Sequence, residues 1–204
     1  MEHNVKEEKR KLRELIWKEI ETKGIARFPL PCAGRIPNFE GSEKAAERVR
    51  LLEEWKNARV IVANPDFAQQ SVRENALKDG KLLIMASPRL KRGYILVDPK
   101  KVRGREEFAS TIRGAFKLGI KVKDFPKPDL IVTGCVAVDR AGRRLGKGHA
   151  YGDQEIRMMK QRFGQMPVIT TIHDVQIVDS VPFEEHDERV TVIVTPTKTI
   201  NVKS

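Results

Sequence analysis

The feature that most constrains this chain is an alternation. Short apolar runs, many of them β-branched, recur between segments of helical spacing. The expected strands are Val60–Ala63, Leu82–Met85, Tyr94–Val97, Leu130–Thr133, Val136–Val138, Val168–Thr171, Val175–Val178 and Val190–Val194. Several are apolar on both faces, so both faces must be covered. Helices are expected at Lys6–Lys23, from Ser42 onward, and at Gln70–Lys78, Glu106–Leu118 and Asp153–Phe163. Leu12, Leu15, Ile16 and Ile20 give the first helix an apolar stripe, and Gly24 suits its C-terminal stop. Ser42 is the expected N-cap of the second, which sets Ala45, Val49 and Leu52 on one face. Between them, Pro29, Pro31 and Pro37 mark a loop. Strands alternating with helices predict an α/β domain with a mainly parallel central sheet and helices on both faces. The 204 residues suffice for one sizeable core and would be cramped as two, so a single domain over 1–204 is expected.

Composition narrows the function classes. Apolar residues make up 40% of the chain and charged residues 33%, a globular rather than a disordered balance. No apolar run approaches a membrane span, and the charged start MEHNVKEEKRKLREL is no signal peptide, so the expected compartment is the cytosol. Cys32 and Cys135 form no CxxC and are expected as buried small hydrophobes rather than zinc ligands. High Lys, Arg and Glu with few Asn and Gln is a thermophile-like balance. The net charge of +11 favours anionic partners, whether nucleotides, acidic tails or nucleic acid. With 6% aromatics and no aromatic-interleaved basic stripe, a single-strand nucleic-acid platform is the less favoured of these.

The densest polar chemistry is GRRLGKGHAYGD, residues 142–153. It lies between an expected strand and an expected helix, where open α/β sheets bind ligands. Gly146 and Gly148 allow close backbone approach, Arg144 and Lys147 add charge, and the helix N-terminus adds unpaired N–H groups. The spacing is neither a Walker loop nor a Rossmann fingerprint. On these residues alone, an anion cradle and a basic surface turn fit equally well. Asp153 has a bland alternative as the cap of the following helix. Lys9 and Arg13, four apart, share a helix face, although such a charge run is more often solvated. His173 in TIHDVQIVD is expected as a strand-end polar residue, and Asp187 in VPFEEHDERV as a turn cap or a metal ligand.

These stretches occur together and in order, and in that arrangement the chain resembles the 5-formyltetrahydrofolate cyclo-ligase family. The family opens with K-x-x-L-R, here Lys9, Leu12 and Arg13. An acidic position after the first strand is Asp66, and the unit ends on Gly80-Lys81. The main signature, G-x-A-F-D-x-x-G-x-R-L-G-x-G-x-G-Y-Y-D, is here GCVAVDRAGRRLGKGHAYGD; a Gln and V-P-x-x-x-x-D follow as Gln176 and VPFEEHD. The chain departs from it at Val138, at Ala150 in place of the third loop glycine, and at Gly152 in place of the second tyrosine. With its long insert CAGRIPNFEGSEKAAERVR it is similar to a divergent branch, the methenyltetrahydrofolate synthase domain-containing proteins.

The resemblance implies a sugar-isomerase and CoA-transferase type of fold, and ATP, Mg²⁺ and a reduced folate as ligands. It places ATP on Lys9, Arg13, Arg144, Leu145, Gly146, Lys147, Gly148, His149, Ala150 and Tyr151. Lys147 and Tyr151 are the catalytic candidates, Asp66 faces the folate, and Asp153 and Asp187 hold Mg²⁺. The implied reaction is cyclisation of 5-formyltetrahydrofolate to 5,10-methenyltetrahydrofolate through phosphorylation of the formyl oxygen, in a monomer or small homo-oligomer. The rival is a module of the same fold that binds a nucleotide or RNA phosphate without turnover, which Gly152 and the basic charge favour.

Overall fold

The structure is a computed structural model, and it describes residues 2–88 and 93–203. In chain order its elements are α1 (Glu2–Thr22), β1 (Ala26–Arg27), β2 (Asn38–Phe39), α2 (Ser42–Val49), α3 (Glu53–Asn57), β3 (Val60–Ala63), α4 (Gln70–Lys78), β4 (Leu82–Ala86), β5 (Tyr94–Val97), α5 (Glu106–Ser110), α6 (Ile112–Leu118), β6 (Ile120–Val122) and β7 (Leu130–Thr133). Then come β8 (Ala137–Asp139), β9 (Arg144–Leu145), α7 (Tyr151–Phe163), β10 (Val168–Thr171), β11 (Ile177–Val178), β12 (Val192–Val194) and β13 (Thr199–Asn201).

Eight strands form the central sheet in the order β13-β12-β10-β7-β3-β4-β5-β6. The inner five, from β12 to β4, are parallel. Antiparallel β5 and β6 close one edge and antiparallel β13 the other. The apolar runs are long enough to be sorted by pleat. Ile61, Ala63, Leu83, Met85, Leu130, Val132 and Ile169 point to one face, where they meet α2 through Ala46 and Val49, α3 through Trp55, and α4 through Val72, Ala76 and Leu77. Their neighbours Val62, Ile84, Ile131, Val168 and Ile193 point to the other, against Ile156 and Met159 of α7. Coverage of both faces is what strands without a polar side require.

A second layer sits beyond the carboxyl end of the sheet. β8 pairs antiparallel with β9 and parallel with β11. Ile16 and Ile20 of α1 pack on it with Phe39, Val136, Ala137 and Leu145. Gly24, at φ 67°, stops α1: Ile25 N–H reaches back to Ile20 O at 3.0 Å.

Several local expectations are corrected. Leu15 is 59% exposed, because it falls outside the stripe that Leu12, Ile16 and Ile20 bury. Ser42 makes no side-chain cap; Gly41, in left-handed conformation, precedes α2, and Ser42 is its first residue. The single helix expected over Glu106–Leu118 is two, because Thr111 turns extended and its hydroxyl caps α6 by accepting Gly114 N–H at 2.9 Å. The run Val136–Val138 leads into β8 (Ala137–Asp139), which belongs to the small sheet, not the central one. Val175 and Gln176 lie in a 3-10 turn, which leaves only Ile177–Val178 as strand. Val190 precedes β12, and α7 begins at Tyr151 rather than at Asp153.

Candidate functional site

The parallel strands β3, β4 and β7 end on one side of the sheet, and the loops leaving them bring Asn64–Phe67, Ala86–Pro88 and Gly134 together. Above them lies the segment from Arg144 to Glu155, from β9 into α7. Between the two opens a cleft of about 270 Å³. The loop after β3 is held from below by Arg73, a fully buried cation that donates to the carbonyls of Ser110 at 2.7 Å, Asp66 at 2.9 Å and Asn64. Burial lowers its pKa to about 10, with Asp66 opposing the shift, so it remains charged at neutral pH. A guanidinium with several fixed donors suits the clamping of a loop that lacks regular structure.

A second cavity of about 240 Å³ lies on the other side of the glycine loop, against α1. Lys6, Lys9, Arg13, Gly148, Glu184, His186 and Asp187 line it. Lys9 is buried and donates to Glu184 Oε2 at 2.7 Å and Asp187 Oδ2 at 2.6 Å. Arg13 donates from Nε to Gly146 O at 2.7 Å; burial lowers its pKa, with Asp187 opposing the shift. The helix face shared by Lys9 and Arg13 is therefore turned inward and not solvated.

The two cavities share Arg144, Gly146, Ala150 and Asp153. Of the residues expected at a nucleotide, Lys9, Arg13, Arg144, Leu145, Gly146, Gly148 and Ala150 line the α1 cavity. Lys147, His149 and Tyr151 line the cleft instead. Lys147 Nζ meets Asp66 Oδ1 across the cleft at 3.2 Å, so one of the two expected catalytic residues and the carboxylate expected at the substrate form one ion pair. Gly80-Lys81 lies elsewhere: Lys81 turns inward to the carbonyls of Trp55 and Ala58.

Asp153 does not cap α7. The N-cap position is Ala150, left-handed at φ 52°. Asp153 is buried in the first turn, where its Oδ1 accepts Arg144 Nη2 at 2.8 Å and Glu188 N–H at 2.9 Å. The turn-cap expectation does hold for Asp187, whose Oδ2 accepts Glu184 N–H at 2.8 Å. Both carboxylates face the α1 cavity. Asp187 also groups with Glu184 and His186, their ligand atoms within 4.8 Å of one another. Asp153 stands outside that group. Hard oxygen donors beside a cavity also lined by Lys and Arg fit Mg²⁺ chemistry, and Lys9 is the cation between Glu184 and Asp187 here.

At Gly152 an added side chain would meet the Arg144 guanidinium. A Cβ there would stand 2.8 Å from Arg144 Nη2 and 3.1 Å from Nη1. The guanidinium, held by Asp153, borders that position.

Sequence reasoning missed Glu184 and His186, two neighbours of Asp187 in a stretch it had marked, and Asn64 and Glu155. Glu155 is 2% exposed in the cleft wall, and burial, aided by the Asp66 carboxylate, pushes its pKa up to about 7. A carboxylate on the same helix face as Gly152 was the available signal. Cys32 and Cys135 are buried free thiols, as expected. No helix among the described residues is long and apolar enough to cross a membrane.

Comparison with known proteins gives the family and the fold. A family model described as the 5-formyltetrahydrofolate cyclo-ligase family matches residues 5–196. A methenyltetrahydrofolate synthase domain-containing protein of Bos taurus is 37% identical over 203 residues, 94% of this chain and 53% of that protein. The chain thus spans about half the length of the curated relatives of this kind. A 5-formyltetrahydrofolate cyclo-ligase of Escherichia coli is 37% identical over 70 residues, 34% of this chain and 37% of that one. Among solved structures, the 5,10-methenyltetrahydrofolate synthetase of Aquifex aeolicus superposes with a TM-score of 0.61 at 19% identity, covering 96% of this chain and 93% of that one. The synthetase of Mycoplasma pneumoniae gives 0.55 at 15%, covering 91% and 97%. These two share the fold, a large α/β sheet flanked by helices. With the family model matching nearly the whole chain, the protein belongs to the 5-formyltetrahydrofolate cyclo-ligase family.

Proposed function

We propose that the protein cyclises 5-formyltetrahydrofolate to 5,10-methenyltetrahydrofolate at the expense of ATP. One observation carries this reading: two cavities, one lined by cations and carboxylates and one by a mixed apolar wall, abut along Arg144, Gly146, Ala150 and Asp153. A phosphoryl transfer between two bound substrates needs that adjacency.

A formamide carbon is a poor electrophile with a poor leaving group. Transfer of the γ-phosphoryl group to the formyl oxygen releases ADP and makes that oxygen leave as phosphate. The second folate nitrogen then attacks the carbon and gives up its proton to solvent, phosphate departs with the C–O bonding pair, and the methenyl bridge remains. The protein's task is alignment and charge neutralisation rather than covalent chemistry. Lys9, Arg13 and the backbone of Gly146–Ala150 would hold the phosphates. Arg144, facing both cavities, would meet the transferring group. Lys147, paired with Asp66, would neutralise charge developing on the formyl oxygen, and Tyr151 would border the folate. Mg²⁺, when bound, would take oxygens of Asp187 and Asp153 and neutralise phosphate charge.

The second reading is a phosphate-binding module without turnover, favoured by Gly152 and by the +11 charge. An absorbance assay for the methenyl product separates them. Purified protein with Mg-ATP and 5-formyltetrahydrofolate should form product, and omission of either nucleotide or magnesium should abolish it. Tight ATP binding with no product would establish the module instead.

A further inference from the structure

The cleft wall holds buried polar atoms that the fold leaves without a partner. Glu155 lies three residues beyond Gly152 on the same face of α7 and is 2% exposed. Its Oε1 is buried without a hydrogen-bond donor, and so is Oδ1 of Asn64 on the loop after β3. Both residues line the cleft. So does Arg144, whose buried Nε has no acceptor while its Nη2 is held by Asp153. Buried polar atoms in native folds are nearly always paired, and leaving one unpaired costs about 1–3 kcal/mol. Three of them on one cavity are hard to explain as support for the fold, because the fold gives them no partner. A ligand that supplies two donors and one acceptor would satisfy all three.

A 2-amino-4-oxopyrimidine edge has that complement: a ring N–H, an exocyclic NH₂ and a carbonyl oxygen. We propose that Glu155 is the specificity-determining residue of the cleft, its carboxyl oxygen accepting from the amino and ring N–H groups of such an edge, with Asn64 as second acceptor. This rests on the folate reading for the identity of the substrate, since the pterin ring of a reduced folate carries that edge. It also gives Gly152 a role. With no side chain at that position, Arg144 of β9 and Glu155 of α7 both face the cleft past the first turn of α7.

The test uses the full chain and two forms of 5-formyltetrahydrofolate, one natural and one with the 2-amino group replaced by methyl. Binding is measured by calorimetry for the wild type, Glu155→Gln and Glu155→Leu, with ATP titrated alongside. The wild type should prefer the 2-amino form by about tenfold or more, as loss of a charge-assisted pairing implies. Glu155→Leu should lose the preference and raise KM for the folate with kcat and ATP affinity little changed. Glu155→Gln, which keeps the volume and one acceptor, should retain part of it. A merely structural Glu155 would alter melting or ATP affinity instead. Should the wild type bind neither folate, free 2-amino-4-oxopteridine and its 2-methyl counterpart replace them. Discrimination lost in Glu155→Leu would then support the residue's role while removing the folate reading. A preference that persists in Glu155→Leu, or its absence in the wild type for both probe pairs, overturns the proposal.

Discussion

Asp153 is tied to a buried guanidinium, and that changes what its substitution should do. If it merely capped α7, Asn would replace it at little cost. Here its Oδ1 holds Arg144 Nη2 and Glu188 N–H, and Arg144 is 3% exposed. Asn retains an acceptor but removes the charge that compensates the guanidinium. Asp153→Asn should therefore cost about 1–3 kcal/mol. At about 2–4 °C per kcal/mol for a chain of this size, a melt without ligand resolves it. A variant melting with the wild type would show that Arg144 needs no counter-charge. Ala150 makes the opposite case. It is the only non-glycine among the described residues with positive φ, at 52°. A left-handed alanine carries about 1 kcal/mol of strain that glycine does not. Ala150→Gly should raise the denaturation midpoint by a corresponding amount, less the entropy of a freer unfolded chain. An unchanged or lower midpoint would mean that this entropy outweighs the strain.

At the scale of elements, the 3-10 turn Asp174–Gln176 is a small device with large consequences for the site layer. His173 Nδ1 accepts Val175 N–H at 3.2 Å, and Gln176 Oε1 accepts His173 N–H at 2.8 Å. The Gln176 amide then donates to Cys135 O at 2.9 Å and Val136 O at 3.2 Å, tying the turn to the segment that leads into β8. The cap requires a neutral imidazole. Burial lowers the His173 pKa, with Asp174 opposing the shift. Below the ordinary histidine value of about 6.5 the unfolded chain binds the proton first, so stability should rise with pH through that region and be fully present above it. Melts from pH 5 to 8 should show this slope, and His173→Asn, which can cap without titrating, should flatten it. An equal slope in the variant would assign the effect to another group. The large elements were legible for a related reason. β3, β4, β5, β7 and β10 lie where the sequence puts them, because an apolar run buried on both faces leaves little freedom. The break at Thr111, the small sheet and the 3-10 turn were not, because strands of two or three residues and side-chain caps are decided by partners distant in sequence. In the site, the glycine loop and Asp187 were legible from residue type and order. Glu155 was not, since a carboxylate in a helix is ordinarily solvated, and only the packing of Ile156 and Met159 turns that face inward.

At the scale of the molecule, the site exists only when distant segments are assembled. Lys9 meets Asp187 across 178 positions, and Lys147 meets Asp66 across 81. The layer formed by α1 and the small sheet has its own apolar cluster, around Ile16, Ile20 and Leu145, while the central sheet has two others. A single cooperative domain over the whole chain requires these to unfold together, and the two tryptophans report on them separately. Trp17 on α1 packs against the outer cluster and donates to Arg35 O at 3.0 Å; Trp55 is buried in the central one and donates to Asp79 Oδ2 at 2.8 Å. In Trp17→Phe and Trp55→Phe variants, the fluorescence of the remaining tryptophan should change at the same denaturant concentration as the circular dichroism of that same variant. The comparison is internal to each variant, so the cost of the lost hydrogen bond does not confuse it. Mg-ATP at about 100 times its Kd should then move both probes together by about 2.7 kcal/mol, since the cavity proposed for it joins α1 to the glycine loop. A Trp17 transition that precedes the loss of circular dichroism, or a nucleotide shift seen by Trp17 alone, would make the α1 layer a separate unit that closes over the sheet.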